Sequence, residues 1–195
     1  VQVLLRIVGV AGVLGCFAQG AAADDASKFF RIAEVDGAWW FVAPDGKQFF
    51  SSGVNVVQPG PSRNDYDPKR PAYAAFRHYS DTDAWAREAH DRLAKWGFNT
   101  IGGWAAPQVT TGRMPYTGSL HLGAELGVPW NDLLHPRFAD EVDALVELQV
   151  KPRAEDPLLI GWFSDNELAW FPDTLLAFHI AQPAESVTRQ ALVRL

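Results

Sequence analysis

Cysteine is nearly absent from this chain: Cys16 is the only one among 195 residues. That excludes a disulfide scaffold and any zinc site built on thiolates. Basic charge is also thin, with 17 Lys and Arg against 23 Asp and Glu, a formal net charge of −6 and no cluster of cations. A polyphosphate needs cations gathered on one face, so the balance argues against a nucleic-acid partner. No G-x-S-x-G occurs, and the serine α/β-hydrolases therefore lack their nucleophile elbow here. The five histidines, His78, His90, His121, His135 and His179, contain no H-x-x-x-H pair, which leaves no helix-borne zinc motif and no metal or other cofactor to expect. Apolar residues are plentiful at 48%, enough for a folded core. Eight tryptophans stand out, because that side chain is often used where flat apolar faces must meet a ligand.

The first 23 residues read as an export signal. Arg6 is their only charge, an apolar run covers Ile7 to Ala18, and Ala21-Ala22-Ala23 forms an A-x-A cleavage pattern before Asp24-Asp25. The run is too short to span a bilayer. The expected location is secreted or periplasmic, with no transmembrane segment left after cleavage. Val13-Leu14-Gly15-Cys16 loosely resembles a lipoprotein box, and the alternative is a lipid anchor on Cys16 that would hold the protein at the outer membrane or cell surface.

Residues 24–195 read as one domain without repeats. Trp39 to Val42 and Gln48 to Ser51 flank the turn-rich Ala43-Pro44-Asp45-Gly46-Lys47, which predicts a β-hairpin. Ser52 to Val57 is a short apolar strand, and Gln58 to Ser80 is a long loop rich in Pro, Gly, Asp and Arg, of the kind that tends to carry function. Asp81 or Thr82 caps a helix reaching Trp96, with Trp85, Ala89, Leu93 and Trp96 on its apolar face and Gly97 just past its end. A strand over Phe98 to Ile101, a weaker one within Pro115 to Leu122, a helix from Pro136 to about Val150, and a continuous apolar strand over Leu158 to Phe163 follow. The last of these is expected to be buried on both faces. A final helix starts near Ser186. Alternating strands and helices predict an α/β fold with parallel strands, either an open doubly wound sheet or a (β/α)8 barrel. No Gly-rich phosphate fingerprint follows the first strand, which weighs against a dinucleotide-binding open sheet.

Parallel α/β folds bind ligands at the carboxyl ends of their strands. Just past the fourth strand stands Ser164-Asp165-Asn166-Glu167-Leu168-Ala169-Trp170, a carboxyl-bearing turn with Trp162 before it and Trp170 after it. A carboxyl in an apolar, aromatic mouth is held neutral by desolvation, as a general acid requires. The bland alternative is a polar loop in which Glu167 caps the next helix.

Asp156-Pro157-Leu158-Leu159-Ile160-Gly161-Trp162-Phe163-Ser164-Asp165-Asn166-Glu167-Leu168-Ala169-Trp170, together with the earlier Arg92-Leu93-Ala94-Lys95-Trp96-Gly97-Phe98-Asn99-Thr100-Ile101-Gly102-Gly103-Trp104, resembles the retaining (β/α)8 glycoside hydrolases whose acid/base is the Glu of an Asn-Glu pair ending the fourth strand. Within that clan it is most similar to the β-agarase-like and β-galactosidase-like members. The resemblance implies that the fold is the N-terminal half of a (β/α)8 (TIM) barrel preceded by a β-hairpin, and that the substrate is a β-linked polysaccharide or oligosaccharide. It implies Glu167 as general acid/base and Asn166 as partner of the sugar 2-hydroxyl. Asn55 and Trp104, at the ends of the first and second strands, would line the sugar site with Trp162 and Trp170. As residues alone, Trp104 also reads as core filling and Asn55 as a turn former.

A retaining mechanism needs two carboxyl groups about 5–5.5 Å apart. The resemblance implies a nucleophilic Glu ending the seventh strand, and after Glu167 only Asp173 and Glu185 are acidic, neither behind an apolar strand. The chain is therefore expected to be the front half of a longer enzyme, inactive by itself. The pair Asp165 and Glu167 fits the D-x-x-D-x-D-x-E pattern of substrate-assisted chitinases poorly, since the earlier acidic positions hold Ile160 and Phe163. Asp65-Tyr66-Asp67 is a solvated turn before it is a calcium site. The alternative to a hydrolase is a noncatalytic carbohydrate-binding or structural half-barrel.

Overall fold

The computed structural model describes residues 27–168 and 171–195. The export signal, Cys16 and Trp170 lie outside the described residues. The chain divides into two compact units: residues 27–119 with 155–163, and residues 120–154 with 164–195. Among the described residues the strands all belong to the first unit and the second holds helices, so the α/β alternation expected runs along the chain rather than within each unit.

The first unit opens with a three-stranded antiparallel sheet of β1 (Arg31–Val35), β2 (Ala38–Val42) and β3 (Gln48–Phe49). Strand β1 was not anticipated. Its signal is Asp36-Gly37, whose φ angles of 52° and 77° are the left-handed pair that a two-residue hairpin demands. Strands β2 and β3 are the expected hairpin, paired Phe41 to Phe49, and Asp45 closes its turn by accepting a hydrogen bond from the Lys47 backbone N–H at 3.1 Å. Ala33 and Val42 are buried on one face, while Ile32 and Trp39 face solvent on the other.

A four-stranded sheet follows in the order β4 (Gly53–Val54), β5 (Thr100–Ile101), β6 (Tyr116–Ser119) and β7 (Leu159–Phe163), all parallel. Helix α1 (Thr82–Lys95) connects β4 to β5. Asp81 caps it by accepting from the Ala84 N–H at 2.7 Å, and Gly97 leaves it with φ 84°. Its inward stripe is Trp85, Ala86, Ala89, His90 and Leu93, packed with Ile101, Val109, Met114 and Tyr116. Trp96, expected on that stripe, is instead 64% exposed, because the helix ends before it and the chain turns at Gly97.

The segment Gly97-Phe98-Asn99-Thr100 explains how β4 and β5 find each other. The Asn99 side chain accepts from the Ser52 N–H at 2.8 Å and donates to the Phe50 carbonyl at 2.9 Å, while the Thr100 and Ser51 hydroxyls meet at 2.9 Å. Three polar links thus fix the entry to β4, a strand only two residues long. At the other edge, Asp156 accepts from the Leu158 N–H at 2.9 Å and from the Tyr116 hydroxyl at 2.8 Å, which starts β7 alongside β6. The expectation that β7 is buried on both faces is not met. Its residues are half-buried and Phe163 is 57% exposed, since β6 is its only neighbour in the sheet.

The second unit contains helices α2 (Leu122–Glu125), α3 (Phe138–Gln149), α4 (Pro172–Ala181) and α5 (Val187–Val193). Leu145 is the buried residue of α3, whereas Leu148 is exposed. Helix α4 was not anticipated, although Pro172 at its first turn is a usual start signal. Ser186 caps α5 by accepting from the Arg189 N–H, and the buried Thr188 hydroxyl bonds the Asp132 carboxylate. Among the described residues no helix is long and apolar enough to cross a membrane.

Candidate active site

The carboxyl ends of the four parallel strands share a backbone feature. Past β4, β5, β6 and β7 in turn come Val56, Trp104, His121 and Glu167, each with a left-handed φ between 51° and 58°. A side chain in that region crowds its own carbonyl, at a cost of about 1–3 kcal/mol, so such residues persist where the surroundings hold them. The fifth non-glycine case among the described residues, Asp36, belongs to the hairpin turn of β1 and β2.

At the end of β5 the turn is built on Gly102 and Gly103. A Cβ on Gly102 would sit 1.9 Å from the Asn55 side-chain oxygen, and that oxygen accepts from the Gly103 N–H at 3.0 Å. Asn55 thus ties the end of β4 to the turn that presents Trp104. The Trp104 side chain is 40% exposed, which sets aside the core-filling alternative for it, and its carbonyl accepts from the Gln58 amide. Trp162 packs against β6 instead: a Cβ on its register partner Gly118 would lie 2.3 Å from the indole.

In the second unit the turn after β6 is stitched to the turn after β7. The Leu122 N–H donates to the Ser164 carbonyl at 3.1 Å, and the Gly123 N–H donates to the Asp165 carboxylate at 2.7 Å. His121 is the N-cap residue of α2 and half-buried, a strand-end residue that the sequence pattern does not single out. Its signal was hidden because Pro115 and Gly118 weaken the β6 pattern. Asn166 and Glu167 are both exposed. The apolar, aromatic surround expected for Glu167 is therefore not supplied by the described residues. Nor does Glu167 cap the next helix, because Phe171 is the N-cap residue of α4. Asn55, Trp104 and Trp162 belong to one unit and Asn166 and Glu167 to the other.

No group of three His, Cys, Asp or Glu gathers as a metal site among the described residues. The Asp67 carboxylate is spent on its own turn, accepting from the Lys69 N–H at 2.8 Å and from Arg70 at 3.0 Å, and those bonds hold it below the ordinary aspartate pKa.

Comparison with known proteins shows a relationship to β-agarase-like glycoside hydrolases. β-Agarase B of Vibrio sp. (strain JT0107) is 23% identical over 73% of this chain, and β-agarase A of the same strain is 24% identical over 74%. The chain spans about a fifth of the length of these curated relatives, 22% and 20%. Among solved structures, the agarase AgWH50C matches 98% of this chain and 39% of its own with a TM-score of 0.64 at 21% identity. An exo-β-agarase matches 95% of this chain and 39% of its own with a TM-score of 0.62 at 17% identity. No family model matches the chain.

Proposed function

We propose that this chain is the N-terminal half of a retaining (β/α)8 glycoside hydrolase acting on a β-linked galactan of the agarose kind, with Glu167 as general acid/base. The observation that carries the proposal is the position of Asn166-Glu167 directly beyond the fourth parallel strand, on a left-handed backbone held next to the bonds of Ser164 and Asp165. The likeness to β-agarases supports the substrate class.

In this mechanism Glu167 protonates the glycosidic oxygen as the bond to the anomeric carbon breaks, while a second carboxylate attacks that carbon. Glu167 then deprotonates the incoming water, which displaces the carboxylate and restores both groups. Asn166 hydrogen-bonds the 2-hydroxyl beside the reacting carbon. Asp173 lies in α4 and Glu185 between α4 and α5, so neither stands at a strand end where a nucleophile belongs. The second carboxylate then comes from outside these 195 residues, and the chain by itself is expected to hydrolyse nothing. Export through residues 1–23 is part of the proposal, with Asp24 as the mature N-terminus.

The test is Glu167→Gln in a protein that joins this chain to its nucleophile. Turnover on poor leaving groups should fall by about 10²–10⁴, the usual share of general acid catalysis. Aryl glycosides with acidic phenols should suffer far less in the first step, and azide should restore the second and yield a β-glycosyl azide. Equal loss for every leaving group with no rescue by azide removes Glu167 from the role.

A further inference from the structure

The long loop between β4 and α1 closes on itself and leaves a cavity of about 280 Å³ between its two ends. The walls are preformed. The Ala75 N–H donates to the Pro59 carbonyl at 2.7 Å, and Gly60, with φ 75°, approaches Tyr73 so closely that a Cβ would meet the Tyr73 carbonyl oxygen at 2.0 Å. Pro59, Pro61 and Phe76 give the cavity an apolar side.

Its polar side pairs a donor with an acceptor. The Arg63 guanidinium lies 4.9 Å from the Phe76 ring centre and gives one N–H to the Phe76 carbonyl at 3.5 Å, which leaves most of its five N–H groups for a ligand. Asp81 accepts from the Ala84 N–H at 2.7 Å and from the Ser80 hydroxyl at 2.8 Å, half of what a carboxylate can take. A group that both donates and accepts is needed to satisfy such a pair, and a hydroxyl does both. An inorganic anion would meet the Asp81 charge at a helix end that Asp81 already caps, and a purely apolar ligand would make use of neither polar group. At about 280 Å³ the cavity sits just under the lower end of the range for small-molecule pockets, which leaves room for one sugar ring and not for several.

We propose that this cavity is a subsite for one sugar unit of the polysaccharide, with Arg63 and Asp81 bracketing its hydroxyls and Phe76 and the prolines meeting its apolar face. This rests on the glycoside hydrolase proposal for the substrate class. The loop follows the carboxyl end of β4, the strand end at which parallel α/β folds bind their ligands.

The experiment is an amide-resolved NMR titration of the 195-residue chain with a tetrasaccharide released from agarose, run beside inorganic sulfate and an α-glucan tetrasaccharide. The agarose tetrasaccharide should shift the amides of Gly60, Ser62, Arg63 and Ser80 to Thr82. Arg63→Ala and Phe76→Leu should each weaken that binding at least about tenfold, while Lys47→Ala in the hairpin leaves it unchanged. Dispersion of each variant's spectrum reports folding in the same sample, and Arg63→Lys, which keeps the charge but not the planar fork, serves if Arg63→Ala unfolds. Shifts confined to Asn166 and Glu167 overturn the subsite and leave the hydrolase proposal standing. Tighter binding of sulfate, equal binding of the α-glucan, or no shift at all also overturns it, while the hydrolase proposal is still judged by the azide kinetics.

Discussion

Gly118→Ala is the sharpest test of how β6 and β7 are held together. A Cβ at position 118 would sit 2.3, 2.4 and 2.8 Å from three indole carbons of Trp162, its register partner on β7. Carbon atoms in contact prefer about 3.5–4.0 Å, so the ring or the strand must retreat by more than 1 Å. The backbone is pinned nearby by the Asp156 bonds to Leu158 and Tyr116, which leaves the indole to move. Overpacking of this kind costs about 1–3 kcal/mol. For a chain of this length each kcal/mol lowers the melting temperature by about 2–4 °C. Urea unfolding followed by tryptophan fluorescence should show a lower midpoint with an unchanged slope. In a Trp162→Leu background the same Gly118→Ala change should cost much less, because the ring it collides with is gone. A cost below about 0.5 kcal/mol, or an equal cost in both backgrounds, would refute the packing assigned to Trp162.

Asn99→Ala should destabilise by about 1–3 kcal/mol, because it strands the Ser52 N–H and the Phe50 carbonyl; chemical denaturation checks this, and Asn99→Asp should recover only the first bond. The Asp81 carboxyl is held below its ordinary pKa first by the Ala84 N–H and then by the Ser80 hydroxyl. A lowered folded-state pKa gives stability that is complete above the ordinary aspartate range and lost as pH falls through the lowered value. The melting-temperature difference between wild type and Asp81→Asn should therefore shrink on acidification, and a difference independent of pH would contradict the assignment. Gly102→Ala should displace the Asn55 side chain from the Gly103 N–H, read as loss of protection at the Gly103 amide in hydrogen exchange. Protein secreted by a bacterial host should begin at or near Asp24; retained Val1 would contradict cleavage, and a lipid on Cys16 would favour the anchor.

The helix α1 was legible because its cap, its stripe and its terminal glycine agree with one another. Strand β7 was legible as an apolar run, but its exposure was not, since burial depends on how many neighbours a strand has and the sequence does not state that. Strand β1 hid in RIAEV, five residues whose alternation is weak and whose turn, Asp36-Gly37, is the clearer sign. Of the candidate site, Asn166-Glu167 stands out in the sequence by its position after an apolar run. His121 was lost with the uncertain strand before it. Asn55 was weighed as a turn former or a sugar contact, and its oxygen proves to be engaged by the turn after β5.

The left-handed residues bear on which strand-end side chains matter. Glycine or asparagine would occupy those positions at little cost, yet the chain places Val, Trp, His and Glu there. At Trp104 and Glu167 the strained backbone carries a side chain that stays open to solvent past the strand end. The strain is offset elsewhere: around Trp104 by the Asn55 and Gln58 bonds, and around Glu167 by the Asp165 bond to Gly123 two residues away. Strain kept at exposed positions and compensated by buttressing neighbours is the pattern of presentation to a ligand. Val56 offers no chemistry and marks only the turn after β4. Trp104 offers an aromatic face in one unit, and His121 and Glu167 offer an imidazole and a carboxyl in the other.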